Sequence, residues 1–65
     1  MNNKIKELRK QNKVTQDELA AAVGVTRQTI ISLENGRYNA SLALAHKISR
    51  YFDLAIEDVF IFGEE

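Results

Sequence analysis

The chain has 65 residues, 45% hydrophobic and 28% charged, a length for one domain with a modest core and a composition too apolar for a disordered chain. It has no cysteine, which excludes a disulfide framework or thiolate metal site and fits a reducing cytoplasm, and so small a core leaves little from which to cut an active site or ligand pocket. The formal net charge is +0 but unevenly placed: residues 1–13 hold Lys4, Lys6, Arg9, Lys10 and Lys13 against Glu7 alone, and residues 53–65 hold Asp53, Glu57, Asp58, Glu64 and Glu65 with no Lys or Arg, a pattern that suits either a phosphate-facing end or two solvated faces.

The Met1 start leads to the expectation of a complete small protein, one domain over residues 1–65. The longest apolar runs, 20–23 and 59–62, fall far short of the roughly 20 residues of a membrane helix. A soluble, cytoplasmic protein is expected. Proline is absent, so punctuation falls to glycine and to Ser/Thr caps.

A first helix is expected over residues 3–11, with Ile5 and Leu8 on one face and Lys4, Lys6, Arg9 and Lys10 around the rest. The second starts on a capping box, Thr15-Gln16-Asp17-Glu18, in which hydroxyl and carboxylate each accept from the other residue's backbone N–H. Leu19 and Val23 form its inner face, and Gly24 follows where a left-handed residue ends a helix. Thr26 caps a third helix with Ile30 and Leu33 inward, ended by Asn35-Gly36. Ser41 caps a fourth over residues 42–52, whose expected inner face is Leu42, Ala45, Ile48 and Phe52; a short fifth covers residues 56–59. The fold class is therefore all-α, five short helices, with a possible short C-terminal β-strand in Val59-Phe60-Ile61-Phe62, which has strand propensity and alternates two sets of side chains.

Residues 16–35 carry the functional signal. Two helices of about eight residues joined at Gly24 must cross closely and steeply. Ala20 is small where the backbones approach, Val25 plugs the core, and Leu19, Val23, Ile30 and Leu33 seat the pair. A plain αα-hairpin would use the same parts. The outer face of the third helix favours a DNA reader: Arg27, Gln28, Thr29 and Ser32 offer hydrogen bonds with no acid until Glu34. Arg pairs with guanine, Gln with adenine, Thr touches the thymine methyl and Ser bonds either partner in the major groove. Around them, Arg9, Gln16, Thr26, Asn35, Arg37, Tyr38 and Asn39 are candidate phosphate contacts.

The runs Thr15-Gln16-Asp17-Glu18-Leu19-Ala20, Val23-Gly24-Val25-Thr26-Arg27-Gln28-Thr29-Ile30 and Leu33-Glu34-Asn35-Gly36-Arg37-Tyr38, with Ser41-Leu42, Lys47-Ile48 and Ile56-Glu57-Asp58-Val59-Phe60, resemble the phage-repressor (Cro/Xre) type helix-turn-helix family over nearly the whole chain. The resemblance implies a five-helix domain that binds operator DNA, usually as a homodimer on a palindrome. It implies base contacts from Arg27, Gln28 and Thr29, with Ser32 one turn on, and phosphate contacts from Gln16, Asn35, Arg37 and Asn39. Two departures concern turns: relatives often carry proline where this chain has Ala40, and glycine where it has Asp53.

The short chain is similar to minimal dimeric repressors of that family. The expectation is that the C-terminal segment 54–65, through Ile56, Val59, Phe60, Ile61 and Phe62, pairs with the N-terminal residues as a small sheet and forms a two-fold dimer contact; the bland alternative is that Phe60 closes the core and the rest frays. The expected function is a transcriptional regulator, more a repressor than an activator, without enzymatic activity. Two rivals are an antitoxin that also binds a toxin through the aromatic tail, and a helical module that binds only protein. The single histidine, His46, lacks companions for a metal site. No metal, cofactor, membrane or small-molecule ligand is expected.

Overall fold

The computed structural model describes residues 2–62. Five helices follow in the order α1 (Ile5–Gln11), α2 (Gln16–Val23), α3 (Arg27–Glu34), α4 (Leu42–Tyr51) and α5 (Ile56–Val59). Each is too short to persist alone, so the shared apolar core holds them. That core comprises Ile5 of α1, Leu19, Ala20 and Val23 of α2, Ile30 and Leu33 of α3, Leu44, Ala45 and Ile48 of α4, then Val59 and Phe60. Among the described residues no helix is long and apolar enough to cross a membrane.

The caps explain the boundaries. Thr15 Oγ1 accepts from the Glu18 N–H at 3.0 Å and Glu18 Oε1 from the Thr15 N–H at 2.8 Å, the reciprocal box the sequence predicts. Thr26 and Ser41 accept from the N–H groups of Thr29 and Leu44. Ala55 has no such acceptor, so only the Asp58 carboxylate closes the start of α5, 3.3 Å from the Ala55 N–H. Helix α2 stops at Gly24, whose φ of 77° is left-handed.

Helix α4 differs from its expected register. Its buried stripe is Leu44, Ala45, Ile48 and Ser49, whereas Leu42 is 78% exposed and Phe52 is half-buried. Leu42 is the first residue after the Ser41 cap and lies at the flank of that stripe. The pattern 44/45/48/49 was hidden because Ser49 is polar; its hydroxyl is satisfied inside the helix, donating to the Ala45 carbonyl at 2.8 Å.

The C-terminal strand reduces to one antiparallel bridge, Asn3 with Phe60. Flanking it, the Lys4 N–H donates to the Val59 carbonyl at 2.7 Å and the Ile61 N–H to the Asn2 carbonyl at 2.9 Å. Residues 59–62 do not alternate: Val59 ends a helix and Phe60 is extended, so both point inward.

Candidate nucleic-acid interface

Helices α2 and α3 pack against each other, and Ala20 of α2 is buried in the shared core. The turn between them needs one left-handed residue, Gly24, and then returns to extended backbone at Thr26. The Val25 N–H donates to the Ala20 carbonyl at 3.0 Å, locking the turn to α2. Ile30 and Leu33 are buried beneath α3. The opposite face, with Arg27 and Gln28 exposed and Thr29 and Ser32 half-exposed, looks outward.

The side chains on that face are prearranged. Thr26 and Thr29 hydroxyls lie 3.1 Å apart, and the Gln28 amide reaches the Ser32 hydroxyl at 3.5 Å. After Asn35, Gly36 turns the chain back with φ 73°. This brings Arg37 and Tyr38 beside α3, where they join Thr26, Gln28, Thr29 and Ser32 around an open cleft of about 360 Å³. Among the described residues the cleft lining holds no acid and one cation. Exposed Asn35 and Asn39 line neither this cleft nor the one at the start of α2.

A second arrangement links the starts of α2 and α3. The Arg27 Nε donates to Gln16 Oε1 at 3.2 Å, and the Gln16 amide donates to Glu34 Oε1 at 3.1 Å. Glu34 also accepts from Arg9, at 2.6 Å to Nε and 3.2 Å to Nη2, and Arg9 Nη1 donates to the Val14 carbonyl at 3.0 Å. The start of α3 is thus tied through Gln16 to a mostly buried ion pair. In the sequence Glu34 marks only the end of the acid-free stretch; its partner lies 25 positions away, and no local pattern encodes the pair. Arg9, expected at a phosphate, has its guanidinium committed to Glu34.

Helix α3 begins with Arg27 and has no acid in its first turn. A cation there opposes the helix dipole, so this choice does not serve the helix. It suits an anion approaching the start of α3.

The expected dimer residues separate into two groups. Val59 is 0% and Phe60 1% exposed, both consumed by the chain's own core, which corrects their assignment to an intermolecular contact. Ile56 is half-buried against that core, Ile61 is half-buried, and Phe62 is 60% exposed. Expectations for residues 63–65 lie outside the described residues.

The helix-turn-helix family pattern matches residues 5–59. An uncharacterized HTH-type transcriptional regulator of Archaeoglobus fulgidus is 57% identical over 65 residues, covering 100% of this chain and 92% of the relative. Another, from Methanothermobacter thermautotrophicus, is 56% identical over 66 residues, covering 100% of this chain and 96% of the relative. Among solved structures, the restriction-modification controller protein C.AhdI from Aeromonas hydrophila superposes with a TM-score of 0.80 at 28% identity, over 88% of this chain and 86% of that one. With the capped α2–Gly24–α3 unit and full-length likeness to these regulators, the chain belongs to the Cro/Xre-type helix-turn-helix family of transcriptional regulators.

Proposed function

We propose that the protein is a sequence-specific double-stranded DNA-binding repressor that reads the major groove with α3. The carrying observation is the acid-free outer face of α3 and the cleft it forms with Arg37 and Tyr38. Gln28 and Arg27 are the bidentate readers, Thr29 supplies a methyl group for thymine, and Ser32 a second hydrogen bond. Thr26, Gln16, Asn35, Arg37, Tyr38 and Asn39 hold the backbone and fix the angle of entry. Arg9 acts one step back, holding Glu34 and through it Gln16.

The functional unit in this reading is a homodimer on a palindromic operator, its two α3 helices roughly 34 Å apart. Phe62 and Ile61 supply the apolar contact, because an exposed phenylalanine on a pinned, extended tail is unfavourable in water and favourable against a copy of itself. Repression then needs no catalysis and no ligand: an occupied operator excludes polymerase, wherever in the cell the DNA lies. Selection from a random duplex library tests the reading. A palindrome is expected to emerge, and a library that stays unenriched at low salt contradicts sequence-specific binding.

A further inference from the structure

We infer that Lys10 and Lys13 form a phosphate clamp beside the reading face, extending the contact to a stretch of DNA backbone that passes the start of α2. The inference rests on the DNA-binding reading above and concerns residues which that reading does not use.

The first observation is conformational. Lys13 has φ 57°, one of two non-glycine residues among those described that are left-handed. The turn demands it: the Val14 N–H reaches back to the Arg9 carbonyl at 2.9 Å and the Lys13 N–H to the Lys10 carbonyl at 3.3 Å, closing α1. Glycine or asparagine would meet that demand with less strain. The Lys13 side chain is exposed. A strained position occupied by a long, exposed cation points to use of the cation itself.

The second observation is where the side chain lies. Lys13 and Lys10 line an open cleft of about 640 Å³ together with Thr15, Gln16, Asp17 and Arg27. Arg9 also borders it, but its charge is matched by Glu34 at 2.6 Å. Among the described residues that line it, three cations, Lys10, Lys13 and Arg27, therefore face the single acid Asp17, and the excess is positive. The positive end of the α2 dipole opens into the same place. Arg27 is also the first residue of α3, so the cleft is continuous with the reading face. A duplex whose major groove sits on α3 runs its phosphates past this corner, and ammonium groups on flexible stems suit a backbone that is gripped rather than read.

Salt dependence separates this role from a structural one. Each neutralised phosphate contributes about 0.9 to the slope of log affinity against log salt. Binding of a short random-sequence duplex is measured between roughly 50 and 200 mM salt for wild type, Lys10→Gln, Lys13→Gly, and Lys6→Gln, the last an exposed lysine of α1 outside the cleft. Lys10→Gln and Lys13→Gly are each expected to lower the slope by about 0.9, Lys6→Gln to leave it unchanged, and Lys13→Gly to melt no lower than wild type because its strain is relieved. Slopes in Lys10→Gln and Lys13→Gly equal to wild type overturn the clamp and leave the DNA reading standing. A wild type that binds no duplex at low salt overturns the DNA reading itself, and the clamp with it.

Discussion

Arg9 Nε lies 2.6 Å from Glu34 Oε2, with only 11% and 5% of the two side chains exposed, and this pair fastens α1 to the last turn of α3. Its geometry is two-pronged, because Nη2 reaches the other carboxylate oxygen. Removing one partner strands a mostly buried charge, which costs about 3–5 kcal/mol, whereas replacing both by apolar groups of similar size is near neutral. We predict that Arg9→Met alone lowers unfolding stability by about 3 kcal/mol and that Arg9→Met with Glu34→Leu recovers most of it. Urea denaturation decides; a loss below about 1 kcal/mol in the single variant would mean a solvent-screened pair.

In the proposed reading Arg27 meets an anion, and at the start of α3 it does not favour its helix. Replacing it with glutamate puts a favourable charge at the N-terminus of α3, worth about 0.3–1 kcal/mol, while the lost bond to Gln16 is exposed and weak. Arg27→Glu should therefore melt within a few degrees of wild type and bind DNA at least tenfold more weakly, about 1.4 kcal/mol or more. Equal losses of stability and binding would mark Arg27 as a structural residue.

The left-handed positions divide by residue type. Gly24 has φ 77° and open space where a Cβ would go, so Gly24→Ala meets no clash and loses only the conformational preference, about 1–2 kcal/mol. Asp53, at φ 59°, is the reverse case. Asp53→Gly should raise stability by about 0.5 kcal/mol, and thermal unfolding of the two variants should shift in opposite directions. A lower melting temperature for Asp53→Gly would contradict the strain argument.

The C-terminal aromatics should part in the same way. Phe60→Ala empties a fully buried site, at about 3–5 kcal/mol, enough to unfold much of a domain this small. Phe62→Ser should keep the fold by circular dichroism and shift light scattering from dimer toward monomer. A wild type that is monomeric at tens of micromolar would remove Phe62 from the dimer account.

Much of this was legible because caps and turns are local. Thr15-x-x-Glu18, Thr26, Ser41 and Gly24 act on neighbours within four residues, so the starts of α2, α3 and α4 follow from them. The seat of the helix-turn-helix follows from Leu19, Ala20, Ile30 and Leu33, apolar at helical spacing. What stayed hidden depends on distant partners. Nothing near Glu34 announces that Arg9, 25 positions away, will meet it. Ser49 looks like surface until its hydroxyl is seen bonded to Ala45, and the pair Val59-Phe60 looks like a strand until the helix end at Val59 turns both inward. Asn3 is the extreme case: its side chain joins the Leu33 carbonyl of α3 at 2.8 Å while its backbone bridges Phe60, and no short-range pattern encodes that.

Whether α3 reads bases is decided by parallel duplex selections with wild type and Gln28→Ala. Gln28 is exposed, its amide reaches the Ser32 hydroxyl, and it can be truncated without disturbing the core. Wild type is expected to select a palindrome and Gln28→Ala the same palindrome with preference relaxed at one position in each half-site, a discrimination of about 1–3 kcal/mol lost there. An identical motif from both proteins would contradict the claim that this face of α3 carries the specificity.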